Sequence, residues 1–251
     1  MGAGPAFAAV QVARSSTASD LAALRRAESL STPTALARTK TLPLAEALQP
    51  LVPGGALQRG TTVGVTGPGS TTLALVLSAV ATAEGSWAAV AGVPALGLAA
   101  AAELGIALER LLVVARPPDG SWAVVVAALL DAVDLVVVRP PARLASADAR
   151  RLQARARERG AVLCALGGTW PQPCDICFTV TAPAWVGPTG AGSGRLEARQ
   201  VEVVGSGRGA ASRERRLPLW LPGPDGAIST VAAPAATHPT QPVPAGLAAV
   251  S

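Results

Sequence analysis

The chain has no tyrosine and only two phenylalanines, Phe7 and Phe178. Stacking on a single-stranded nucleic acid would therefore fall to the tryptophans, Trp87, Trp122, Trp170, Trp185 and Trp220. Lys40 is the sole lysine, so nearly every cation is an arginine. His238 is the sole histidine, and it stands in an Ala/Pro/Thr-rich stretch where it cannot complete a catalytic dyad. Cysteines are few: Cys164, Cys174 and Cys177. An odd number, with no basic region ahead of an apolar run at the start, reads as a reduced, cytoplasmic chain without a secretory signal. Two uncharged runs, 60–83 and 85–102, approach membrane-spanning length, but a Gly/Pro loop breaks the first and the second is mostly Ala and Gly around Pro94. No membrane partner is expected.

The 251 residues suffice for one sizeable domain with tails. Half of them are apolar, but alanine supplies much of that half, and Gly 26 and Pro 22 point to irregular ends. The formal charge of +5 suits an acidic partner such as DNA. A genome that writes Ala, Arg, Gly and Pro explains the same composition. The charge is uneven: residues 61–140 carry three Arg and six acids, whereas residues 141–160 carry six Arg and two acids.

The chain is organised around residues 62–75. A β-rich run enters Gly67-Pro68-Gly69, and an apolar helix leaves it. Gly64 and Gly69 stand at the spacing of the phosphate-binding loop G-x-x-x-x-G-K-[ST], with Thr71 in the last position and Thr72 after it. In such a loop backbone N–H groups cradle phosphates, the lysine reaches the outer phosphates and the hydroxyl holds magnesium. Here Ser70 occupies the lysine position. Three readings compete: a working ATP site, a vestigial loop kept for its shape, and a nucleotide held without turnover.

Short apolar strands alternate with helices from residue 61 to residue 166. Strands are expected at 61–65, 87–93, 110–115, 135–138 and 161–166, and helices at 71–83, 96–104, 122–132 and 146–159. This is the pattern of a mostly parallel α/β sheet with helices on both faces. Antiparallel strands at 174–181, 196–204 and 217–221 extend it. Residues 1–41 form an arm, expected to be disordered but for a short helix at 20–30, and residues 230–251 an Ala/Pro-rich disordered tail. The core domain is then 42–229.

The carrying segments are Gly55–Gly60, the glycine loop with Thr71-Thr72-Leu73-Ala74-Leu75, Glu103-Leu104-Gly105-Ile106, Asp134-Leu135-Val136-Val137-Val138, and Val201-Glu202-Val203-Val204 ahead of Arg208-Gly209. Together they resemble the RecA-like ATPase core. Within that superfamily the chain is most similar to the short ImuA and ImuA′-type proteins. The resemblance implies an accessory role in damage-induced mutagenesis (the SOS response and translesion synthesis), beside an ImuB-like inactive polymerase homologue and an error-prone polymerase. It also implies where function is lost. Working members place a magnesium-organising aspartate after the fourth strand, where this chain has Arg139. They place a water-orienting glutamate near Val93. Phosphoryl transfer needs metal, charge neutralisation and an oriented water. With all three positions replaced, the expectation is a degenerate ATPase with no catalytic residue, no required cofactor and, at most, bound but unhydrolysed ATP.

Other features carry two readings each. Arg150, Arg151, Arg155, Arg157 and Arg159 lie on the helix 146–159, with Arg151 and Arg155 one turn apart. They form a solvated helix end or a DNA-backbone contact. Arg208, Arg213, Arg215 and Arg216 form a second cluster, read as lying in a Gly-rich turn, for solvent, DNA or an acidic partner. Cys174 and Cys177 have C-x-x-C spacing, but four metal ligands are not in view and the stretch starts a strand, so structural cysteines and no metal are expected. Trp170, Trp185 and Trp220 sit in Gly/Pro loops as candidate partner anchors. A polymerase-associated partner is the leading expectation. Direct DNA handling by a nucleotide-binding or weakly hydrolysing member is the alternative. Self-association and a role as a cell-division inhibitor stay open.

Overall fold

The computed structural model describes residues 41–187 and 194–231. The arm before residue 41, its short helix and the tail beyond residue 231, with His238, lie outside the described residues. A two-stranded antiparallel ribbon joins β1 (Thr41–Leu42) to β2 (Leu57–Gln58) around a 3-10 segment at Glu46–Leu51. Then follow β3 (Thr62–Thr66), α1 (Ser70–Ala83), β4 (Ala88–Ala91), α2 (Leu98–Glu103), β5 (Leu111–Val114), α3 (Trp122–Ala132), β6 (Leu135–Val138), α4 (Ser146–Arg159) and β7 (Val162–Leu166). The chain finishes with β8 (Ile176–Val186), β9 (Ala198–Gly207), β10 (Arg215–Trp220) and β11 (Ser229–Thr230).

One sheet of nine strands runs in the order β11-β10-β9-β8-β3-β7-β6-β4-β5. From β8 to β5 all pairings are parallel, and from β8 to β11 all are antiparallel. This is the expected mostly parallel sheet with an antiparallel extension. Because side chains alternate across a strand, the β-branched runs feed two cores at once. Leu135 and Val137 join the cluster beneath α1, while Val136 and Val138 join the cluster beneath α3 and α4. α1 is apolar nearly all round, and Leu73–Ala79 are all buried, as a helix covered on several sides requires. α4 is polar on one face and buries Ala149, Leu152, Gln153 and Ala156 on the other, and Gly160 ends it in the left-handed conformation.

Several boundaries differ from the sequence expectation. β8 begins at Ile176 and runs to Val186, five residues past 181, because the register shift between Thr181 and Ala184 absorbs Pro183. The ninth strand starts at Ala198 and runs on to Gly207, not 196–204. Arg215 and Arg216 are in β10 rather than a turn, since each pairs with β9 (Gly205 and Val204). Thr230, assigned to the tail, closes the sheet edge as part of β11. No described helix is long and apolar enough to cross a membrane.

Candidate functional site: a glycine loop flanked by two arginines

Because β3, β7, β6, β4 and β8 are parallel, their carboxyl ends share one sheet edge, the usual ligand side of an open α/β sheet. Gly67, Arg139, Gly167 and Gly92 lie on that edge, and β9, running the other way, brings its first residues to it. The loop itself is tightly held. Gly67 has φ +89° and packs on the Val180 carbonyl of β8, so a side chain there would meet backbone. Gly69 also has φ +89° and caps α1 without a side-chain acceptor; the first turn of α1 has no acid. The first turn thus brings no counter-charge to the positive end of the helix. Ser70, Thr71 and Thr72 form that first turn and are half-buried, while Gly67 and Pro68 are exposed.

Gly64, the first glycine of the loop spacing, does different work. It lies inside β3, and a side chain there would come within 3.0 Å of Cys174 Sγ. It makes room for the cysteine pair and not for a phosphate. The Cys174 thiol hydrogen-bonds Cys177, which raises Cys174 and lowers Cys177 to about 7. Burial alone pushes Cys164, in β7, up to about 12. Among the described residues no group of three or more His, Cys, Asp or Glu side chains could hold a metal.

Arg139 leaves the end of β6 and turns back over β7. Its Nη2 donates to Thr71 Oγ1 at 3.1 Å. A guanidinium therefore engages the hydroxyl that a magnesium ion would need. Val93, near where the resemblance puts a water-orienting residue, is 7% exposed and packed in the core under α1. It offers a water neither reach nor a polar atom. Ser70 brings no charge.

A residue the sequence reading missed completes the edge. Arg199, second in β9, is 8% exposed. Its Cζ and Nη1 lie 2.7 and 2.8 Å from where a Cβ on Gly69 would stand, so the guanidinium lies directly on the loop. Nε donates to the Leu221 carbonyl at 2.7 Å, and the guanidinium carbon sits 5.1 Å from the Trp185 ring centroid. Burial holds its pKa below the ordinary arginine value. Alternation puts Arg199 on the row of Val201, Val203 and Gly205 that faces inward, but nothing local ties it to Gly69.

The other candidates separate. Arg155 is bound to Asp131 of α3 through Nε at 2.6 Å and through Nη2, and Arg159 reaches the same carboxylate at 3.0 Å. Asp131 is raised by burial, but these two guanidinia more than reverse that and hold its pKa below the usual carboxylate value. Arg155 thus ties α4 to α3. Arg151 pairs with Asp148, and Arg216 with Glu202 and Glu214. Arg150, Arg208 and Arg213 are exposed with no ion pair among the described residues, and Arg215 is half-buried. Trp185 is 45% exposed beside exposed Val186 and Leu196. Trp220 is half-buried in β10. Trp170 is half-buried against the core under α3 and α4 with its Nε1 enclosed, and is not the exposed anchor its loop composition suggested.

Residues 50–172, from before β3 to just past β7, match the family described as MT3502 N-terminal domain. Over 167 residues the chain is 39% identical to the uncharacterized protein Rv3395c of Mycobacterium tuberculosis, an alignment spanning 63% of this chain and 80% of that protein. The chain belongs to the Rv3395c family. The family domain holds the loop, Val93 and Arg139, whereas Arg199 comes from the strands that follow it. In three dimensions the chain is similar to the crystal structure of the RadB recombinase, with a TM-score of 0.55 and 16% identity, covering 74% of this chain and 97% of that one. The fold is RecA-like.

Proposed function

We propose that this Rv3395c-family protein is a non-hydrolysing RecA-like accessory factor of damage-induced mutagenesis, an adaptor within an error-prone polymerase assembly. The hydrogen bond from Arg139 to Thr71 carries the first half: a cation occupies the place of the metal on which phosphoryl transfer depends. Buried Val93 and uncharged Ser70 support it from the water and lysine positions. The second half rests on the general similarity of the chain, with its shortened loops, to the ImuA-type proteins. An ImuB-like partner in the cytoplasm is the partner this reading supplies, and exposed Trp185 is an aromatic anchor for one.

Deleting the gene tests the role. The expected result is a fall in ultraviolet-induced mutation frequency, restored by the natural chain and equally by Thr71→Ala, because hydrolysis is not required. An unchanged induced frequency would rule the role out. The alternative is a nucleotide-binding or weakly hydrolysing protein that handles DNA directly. Exposed, unpaired Arg150, Arg208 and Arg213 favour it. Under that reading DNA retention falls steeply with salt and falls again when those three are replaced by Gln.

A further inference from the structure

We infer that the glycine loop is a metal-independent oligophosphate site, in which Arg199 and Arg139 supply the charge that a lysine and a magnesium ion supply elsewhere. The ligand class is a di- or triphosphate group, free or carried by a nucleoside. The inference rests on the non-hydrolysing reading only in that the bound phosphates stay intact.

Three observations converge on it. First, Arg199 is more than nine-tenths buried, yet neither Nη nitrogen has an acceptor and no carboxylate pairs with it among the described residues. A buried cation without a counter-charge is costly, and an anion at its free face would offset that cost. Second, its orientation is fixed. The Nε bond to Leu221 and the Trp185 ring hold the guanidinium plane, with both Nη nitrogens over the place where a Gly69 side chain would stand. A planar, pre-oriented fork matches phosphate oxygens. Third, the loop opens α1, fourteen residues long, whose first turn has no acid and no side-chain cap.

The two arginines reach the loop from opposite sides. Arg199 comes from β9, two strands from β3 through β8; Arg139 follows β6, two strands from β3 through β7. Their backbones are therefore roughly 19 Å apart at about 4.8 Å per strand. Their side chains converge on Gly69 and on Thr71. An anion that uses both guanidinia reaches only from Gly69 to Thr71 along the loop, which suits a short chain of phosphates better than a single one. A divalent cation is superfluous there, since Arg139 already occupies the Thr71 hydroxyl.

The test is calorimetric titration of the full chain with inorganic tripolyphosphate and with ATP, in EDTA and in excess Mg²⁺. Binding in EDTA, no tighter with Mg²⁺, is expected. Arg139→Gln and Arg199→Gln should each weaken it about tenfold or more, and Arg199→Lys less. Arg110→Gln, just before β5 at the opposite edge of the sheet, should not change it. Trp185 emission should shift on binding, and the shift should vanish in Trp185→Phe. No binding in EDTA, binding only with Mg²⁺, or binding unchanged or tightened in Arg199→Gln would each overturn the inference. So would displacement of DNA by these variants with no tripolyphosphate binding. If Arg199→Gln does not fold, judged by its far-ultraviolet dichroism, exposed Arg139→Gln decides alone. Phosphate release from Mg·ATP would sink the non-hydrolysing reading and leave metal-free binding standing. Loss of metal-free binding would do the reverse.

Discussion

Arg139 donates from Nη2 to Thr71 Oγ1 at 3.1 Å, so the side chain that follows β6 and the first-turn hydroxyl of α1 are locked to each other across β7. In a magnesium-dependent loop those two positions would meet through the metal. Here they meet directly, and the β6 side carries a cation.

Restoring the charge pattern should restore the metal dependence but not the reaction. In Ser70→Lys/Arg139→Asp, ATP binding should become Mg²⁺-dependent, about tenfold tighter with the ion than in EDTA. Turnover should stay at background, because Val93 is enclosed in the core and orients no water. Calorimetry and a coupled phosphate assay on the same protein check both halves.

The loop's shape depends on Gly67. An alanine there faces both φ +89° and the Val180 carbonyl, so a loss of about 2–4 kcal/mol is expected by urea unfolding. Gly54 has φ +74° with nothing within 4 Å of a Cβ. Gly54→Ala should cost only about 1 kcal/mol, the conformational term alone.

Asp131 predicts a pH signature. Burial opposes its ionisation, yet Arg155 and Arg159 win and depress the folded-state pKa. The stabilisation is therefore fully present above the unfolded value of about 3.9 and is lost as pH falls through the lower folded value. Asp131→Asn should be less stable by about 1 kcal/mol at pH 7, and the gap to the natural chain should close as pH falls through the depressed folded value.

The cysteines should titrate apart. With Cys174 donating to it, Cys177 should alkylate with a midpoint near about pH 7, while Cys164 stays inert. Cys174→Ala removes that hydrogen bond and should move the Cys177 midpoint upward. Iodoacetamide rates read by mass spectrometry across pH 6–10 (roughly the thiol range) decide it.

Much of the fold was legible because the parallel strands carry their own signal. Leu135–Val138 is an unbroken β-branched and leucine run, and the helix Ser146–Arg159 is bounded by Gly160 at its end. β1, β2 and β11 are two residues each, too short for any period to show. β8 runs five residues beyond the expected end at 181, past Pro183, and only the register shift between Thr181 and Ala184 shows how the strand accommodates that proline. The loop and Arg139 were visible through spacing. Arg199 was not, since its partner Gly69 is 130 positions away and no local pattern links a strand's inward arginine to a distant glycine. The pairing of Arg155 with Asp131 was hidden for the same reason: helix periodicity shows which side a residue is on, but not what faces it.

The most direct measurement is a single turnover, with the chain in large excess over γ-labelled ATP and Mg²⁺. No labelled phosphate should appear above the protein-free rate. Release of a full equivalent, abolished by Gly69→Ala, would mean that the site still works as a motor and that the account is wrong.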